Sequence, residues 1–221
     1  MATPQKPVTG VILMSSAVTV FTVMSAFIKA ADRVPAGEAM FFRSLFAVPV
    51  VFAWLWLSGG LRGGVATRNY RGHAFRGIAG AMAMGLGFAG LKYLPLPEVT
   101  AIRFITPVIV LILAALMLGE RLRLIRISAV AVGLAGVVVI TVPRFSAGFG
   151  TVEAFGAALT LGSAALAALA QIMVKSMSER ETTAAIVFYF SLTASGLALL
   201  TLPFGWVWPT PVEAVWLIGA G

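Results

Sequence analysis

Charge is scarce in this chain, and cysteine is missing altogether. Only 11% of its 221 residues are Asp, Glu, Lys or Arg, against roughly 25% in an ordinary water-soluble domain. So few charges cannot coat a globule of this size. The absence of cysteine excludes disulfides, thiol catalysis and thiolate metal sites, and leaves the compartment open. A single histidine, with no His cluster and no paired carboxylates within one segment, leaves no constellation for metal binding or acid–base catalysis. No catalytic residue, metal site or cofactor is therefore expected.

What the chain has in abundance is apolar residue, 60% of the total, with a mean hydropathy of +0.99. Uncharged runs about as long as a bilayer is thick recur from end to end. Charged or Pro/Gly-rich breaks place spans near residues 9–28, 39–60, 74–92, 98–118, 125–142, 154–175 and 182–203. An eighth opens after Pro211, and the chain stops at Gly221 in mid-helix. These runs predict an all-α polytopic membrane protein, with the lipid bilayer as its solvent. The run from Pro7 to Ile28 is too long for a signal-peptide core and is followed by Lys29 and Asp32, so it reads as the first span.

The net charge of +8 does not point to nucleic acid, because the cations sit in short gaps between apolar runs. Lys6, Arg62, Arg68, Arg71, Arg76, Arg121, Arg123, Arg126, Lys175 and Arg180 fall on one side of the predicted membrane. Lys29, Arg33, Lys92 and Arg144 fall on the other. By the positive-inside rule the first side, with the N-terminus, is cytoplasmic, and the bacterial inner membrane is the expected location.

An internal repeat appears when Gly10 is laid on Gly156. The segment GVILMSSAVTVFTVMSAFIKA then faces GAALTLGSAALAALAQIMVKS, with Lys29 on Lys175, and one residue of slippage later Phe41 to Leu45 face Phe188 to Leu192. Five spans separate the copies, and an odd number inverts the second. Inverted repeats place a substrate site at their interface near the midplane. A first five-helix unit over residues 9–142 and a partial second one over 150–221 are expected.

The stretch Leu91-Lys92-Tyr93-Leu94-Pro95-Leu96-Pro97-Glu98-Val99-Thr100-Ala101, then Thr106-Pro107, then Leu118-Gly119-Glu120-Arg121-Leu122 and Gly133 to Ile140, resembles the end of an EamA domain of the drug/metabolite transporter superfamily. The likeness reaches back through Phe27-Ile28-Lys29 and Phe42-Arg43. It implies ten spans in two five-helix repeats, so the chain is expected to be a piece of a longer protein that ends as the eighth span begins. It also implies a secondary transporter for a small-molecule substrate, an amino acid or related compound, with export favoured. The alternatives are an uptake carrier for a vitamin-like or nucleotide-like metabolite, or a polytopic membrane enzyme or channel subunit. The oligomeric state is not legible.

Within the spans a few residues carry chemistry. Ser15, Thr19, Thr22 and Lys29 follow one helical face, with Ser25 beside it, and Thr160, Ser163 and Gln171 form the matching face of the sixth span. These stripes either line a hydrophilic cavity or bond neighbouring helices together. Pro107 removes a backbone hydrogen bond in the fourth span, as a kink or as a hinge that bares a carbonyl to the cavity. Arg43 and Arg103 lie inside apolar runs. Arg43, near a helix start, is expected to snorkel outward. Arg103 either pairs with Glu98, snorkels, or meets an anionic ligand on the face it shares with Thr100 and Pro107. Ser15, Thr19, Thr22, Arg103, Pro107 and Gln171 are thus the candidate substrate-binding residues. The glycines of the third span, and Gly133 with Ala129 and Gly136 in the fifth, read as close helix packing. His73 reads as a loop residue, and Glu120 as half of a helix-end ion pair.

Overall fold

The computed structural model describes residues 7–60, 63–119, 124–145 and 150–220, apart from the side chains of Pro7, Thr9, Arg126 and residues 137–145. Lys6, Arg62, Glu120, Arg121 and Arg123 lie outside the described residues, as do the side chains of Arg126 and Arg144. Nine α-helices occur among the described residues: α1 Pro7–Ala30, α2 Ala36–Leu57, α3 Tyr70–Tyr93, α4 Leu96–Arg103, α5 Thr106–Leu118, α6 Leu124–Phe145, α7 Thr151–Met177, α8 Thr183–Leu199 and α9 Pro211–Gly219. Five helical stretches are long and apolar enough to cross a membrane: α1 from Gly10, α2, α3, α4 with α5, and α7. Large apolar side chains cover the outside, including Leu57 at 80% exposure and Leu116 at 77%. That surface suits lipid. The molecule is an all-α polytopic membrane protein.

Each element starts and stops for a local reason. α3 begins four residues before the expected position because the Asn69 side chain accepts from the Gly72 N–H at 3.0 Å and caps the first turn. Arg76, counted with the cations of the cytoplasmic side and two residues inside the expected span, thereby stands in the second turn of the helix. The fourth span is two helices. Phe104 and Ile105 close α4 with tight turns onto Ala101 and Ile102, and α5 restarts with Pro107 in its first turn. There a missing N–H costs little, so Pro107 opens a helix rather than kinking one. The Arg103 carbonyl, four residues back, still loses its usual helical donor. Gly119 ends α5 at φ +65°, a left-handed conformation natural to glycine.

The face from which α1 starts is called the near face, and the opposite one the far face. The scaffold is built by α3 on α7 and by α2 on α8, with α8 also on α3 and α1 against α9. Small residues permit this closeness. A Cβ on Gly77 would come 2.7 Å from Thr193 Oγ1, and one on Gly156 2.6 Å from Tyr93 Cβ. The close-packing expectation holds for the third span. It fails for the fifth, where neither Gly133 nor Gly136 has any atom within 4 Å of a built Cβ and Ala129 is exposed.

The core sits toward the far face, where Ile28, Val34, Leu91, Leu94, Val99 and Leu217 are each 1% exposed. A reciprocal pair of lysines ties this end together. Lys29, in the last turn of α1, donates to the carbonyls of Leu91 in the last turn of α3 and of Leu94 just beyond it, and Lys92, in the last turn of α3, donates to Ala31 (3.1 Å) and Asp32 beyond α1. Lys92 also pairs with the Asp32 carboxylate at 3.7 Å. Toward the near face α1 leaves the bundle, and residues 10–23 are all exposed.

Candidate functional site

Where α1 diverges, a cleft of about 770 Å³ lies between α1, α3, the α4–α5 break and α7. It reaches from Met14 and Lys175 in the near half to Leu96 and Phe88 beneath the far-face core. Its walls are mostly apolar, and the polar groups in it are few.

Four of the six expected site residues meet there: Thr22, Arg103, Pro107 and Gln171. Ser15 and Thr19 do not. Thr19 donates to the Ser15 carbonyl at 2.9 Å on an exposed part of α1. Thr22 likewise donates to its own helix at Val18 (2.9 Å), but it lies on the cleft, as does the buried Ser25, which donates to Phe21. The two stripes therefore divide. Ser163, the α7 counterpart, bonds helix to helix by donating to the Ala83 carbonyl at 2.6 Å, while Thr160 donates to Gly156 within α7.

Arginine dominates the cleft, and two of its three arginines were misplaced by sequence reasoning. Arg43 does not snorkel outward. Its Nε donates to Met24 Sδ at 2.9 Å and its Nη1 to Met84 Sδ at 2.8 Å. Thioethers are weak acceptors, so the guanidinium keeps its charge unneutralised. Arg76 reaches from α3 until its Cζ lies 4.1 Å from the centre of the Phe190 ring. That contact offers a cation–π attraction. Its Nε and Nη1 are buried with no hydrogen-bond acceptor. Arg103 lies with Cζ 5.0 Å from the Phe21 ring centre and forms no ion pair with Glu98 among the described residues.

Glycine makes room for these side chains. A Cβ on Gly80 would come 2.9 Å from Cε2 of the Phe190 ring that meets Arg76, and one on Gly87 would overlap Arg103 Nη2 and come 2.9 Å from Ser163 Oγ. Gly80, Met84 and Gly87 stand at i, i+4 and i+7, which is one face of α3. Met84 and Gly87 each lie against one guanidinium, and Gly80 lies against the Phe190 ring that faces the third. The signal for Arg76 was present in the sequence as an arginine followed four residues later by glycine. None of the described residues that line the cleft is Asp or Glu.

His73 is neither a cleft residue nor a loop residue. It sits in the first turn of α3, buried, with Nε2 3.4 Å from Glu181 Oε2 and its ring 4.7 Å from that of Tyr189. Glu181 also accepts from Thr67 at 2.8 Å. This cluster joins α3 to the α7–α8 turn at the near face.

A family profile described as the EamA-like transporter family matches residues 8–142. The chain is 29% identical over 198 residues to the pseudopaline exporter CntI of Pseudomonas aeruginosa, covering 89% of this chain and 66% of that protein. It is 29% identical over 199 residues to an uncharacterized transporter of Helicobacter pylori, covering 87% of this chain and 63% of that one. The chain thus spans just under two thirds of the length of these curated relatives. A solved crystal structure superposes with a TM-score of 0.65 at 21% identity, covering 92% of this chain and 73% of that one, which is a likeness of fold.

Proposed function

The chain belongs to the EamA-like transporter family, and on that premise we propose that it carries a small polar metabolite with a carboxylate, an amino acid or related compound, out of the cytosol across a bacterial inner membrane. The observation that carries this reading is Arg103. A cation placed within a span costs several kcal/mol unless it faces water, a counter-charge or an anionic ligand. Arg103 lies on the cleft without an ion pair among the described residues. A carboxylate entering the cleft meets the guanidinium in a bidentate geometry that a lysine reproduces poorly.

The shape of the bundle supports alternating access. The cleft continues toward the near face, and the far face is plugged by the apolar core and the reciprocal lysines. In this proposal the near face is cytosolic, since Arg68, Lys175 and Arg180 lie there and Lys29, Arg33 and Lys92 lie opposite. Export is further supported by the relative named as an exporter.

Two five-helix units of inverted topology, 9–142 and a partial 150–221, are part of the same proposal. A five-span shift turns α3 against α7 into α9 against α1, and it maps the pairing of α2 with α8 onto itself. Both pairings occur.

The test uses the full-length protein in proteoliposomes. Losing one bidentate, charge-assisted pair removes about 2 kcal/mol, so Arg103→Ala and Arg103→Lys should raise the half-saturation concentration for a carboxylate substrate roughly 10- to 30-fold with normal membrane insertion. Transport by both variants at wild-type half-saturation refutes the role of Arg103. Non-saturating flux would instead mark a channel.

A further inference from the structure

Arg103 is one of three arginines in the cleft, which Lys175 also lines at its near end, and the other two arginines have no assigned task. Arg43 rests on thioether sulfurs, and Arg76 leaves two buried N–H groups without an acceptor. Arg43 lies near enough to both Arg76 and Arg103 for like charges to repel. The described lining holds no carboxylate to relieve them. Three guanidinium groups in an apolar cleft, with Arg43 repelling each of the other two, are costly to the folded protein, and an anion spread along them removes that cost.

Their arrangement is linear. The positions on α3 that receive them, Gly80, Met84 and Gly87, span about 10 Å of helix axis at roughly 1.5 Å per residue. A single phosphate or a lone carboxylate is too short to reach all three. An extended molecule with separated carboxylates meets each guanidinium in turn, and its hydrocarbon links lie against Phe21, Met24, Met84 and Phe190. Resting on the transport reading above, we propose that the cleft is a three-rung arginine ladder selecting a linear polycarboxylate, with Arg43 and Arg76 as substrate-binding residues alongside Arg103.

The experiment compares citrate, glutarate, L-alanine and inorganic phosphate by calorimetry on the detergent-purified full-length protein at constant ionic strength, and then by counterflow in phosphatidylcholine proteoliposomes. Citrate should bind at least tenfold more tightly than glutarate, and glutarate more tightly than L-alanine or phosphate. Arg43→Gln and Arg76→Gln should each weaken citrate at least tenfold, and by a larger factor than they weaken L-alanine. Arg43→Lys and Arg76→Lys, which keep the charge, should fall between and stand in if a glutamine variant does not fold. The ladder is overturned if citrate binds no better than L-alanine, if phosphate equals glutarate, if neither carboxylate probe binds at millimolar concentration, or if the arginine variants bind citrate like wild type. Ladder-type binding without counterflow would sink the transport reading alone, and counterflow of L-alanine without any preference for citrate would sink the ladder alone.

Discussion

Breaking the far-face lysine clasp should open the cleft to the far side. Lys29→Met keeps the apolar stem of the side chain and deletes the ammonium that bonds the carbonyls of Leu91 and Leu94. A hydrogen bond from a charged donor contributes about 1.5 to 3 kcal/mol. Lys29 is half-buried, so in a far-open state water replaces part of that bonding, and the low end applies. A loss of about 1.5 kcal/mol multiplies the far-open population by roughly ten. Thr22→Cys, in a full-length protein in which any other cysteine is replaced, provides a single reporter on the cleft. Thr22 bonds only its own helix, so the replacement disturbs no packing between helices. In the full-length protein in oriented vesicles, an impermeant maleimide applied at the far face should label this cysteine about ten times faster in the Lys29→Met background, with near-face labelling little changed. Equal far-face rates in the two backgrounds would show that the clasp does not hold the closed state.

Two further predictions concern orientation and the α3 face. Cysteines replacing Arg68 or Arg180 should react with an impermeant reagent from the cytosol and one replacing Arg33 from outside, and the opposite pattern would reverse the proposed topology. Gly87→Val should displace Arg103, because even a Cβ there overlaps Arg103 Nη2 and comes 2.9 Å from Ser163 Oγ. Its half-saturation concentration for a carboxylate substrate should therefore rise as far as that of Arg103→Ala, and a wild-type value would refute the packing argument.

The spans were legible because lipid imposes length and composition on a helix, and apolar runs record both. The site was legible only in part. Arg103 and Thr22, which lie on the cleft, were singled out because a polar residue inside an apolar run is conspicuous. Arg76 was passed over because, just inside the expected span and beside other cations, it was grouped with the residues that set topology, and hydropathy does not register that its side chain turns toward the Phe190 ring. Arg43 was misdirected because distance from a helix end says how far a side chain must reach, not what awaits it. The Met24 and Met84 sulfurs come from other helices, and only the fold brings them close. Pro107 was correctly marked as a break in hydrogen bonding, but whether a proline kinks one helix or starts another depends on the turn before it. That turn, Phe104–Ile105, carries no distinctive residue.

In the proposed carrier, the lopsided closure of the bundle, plugged on the far face and splayed on the near one, makes the two directions of travel kinetically unequal. Cargo arriving from the near face meets a receptor already in its binding shape. Cargo arriving from the far face must wait for the minor conformer, and its apparent affinity is divided by that conformer's rarity. A far-open fraction of about 1% would weaken apparent affinity roughly a hundredfold. Without a driving force the ratio of maximal rate to half-saturation concentration stays equal in the two directions, so the asymmetry shows near saturation: the near face saturates at low cargo concentration with slow turnover, the far face at high concentration with fast turnover.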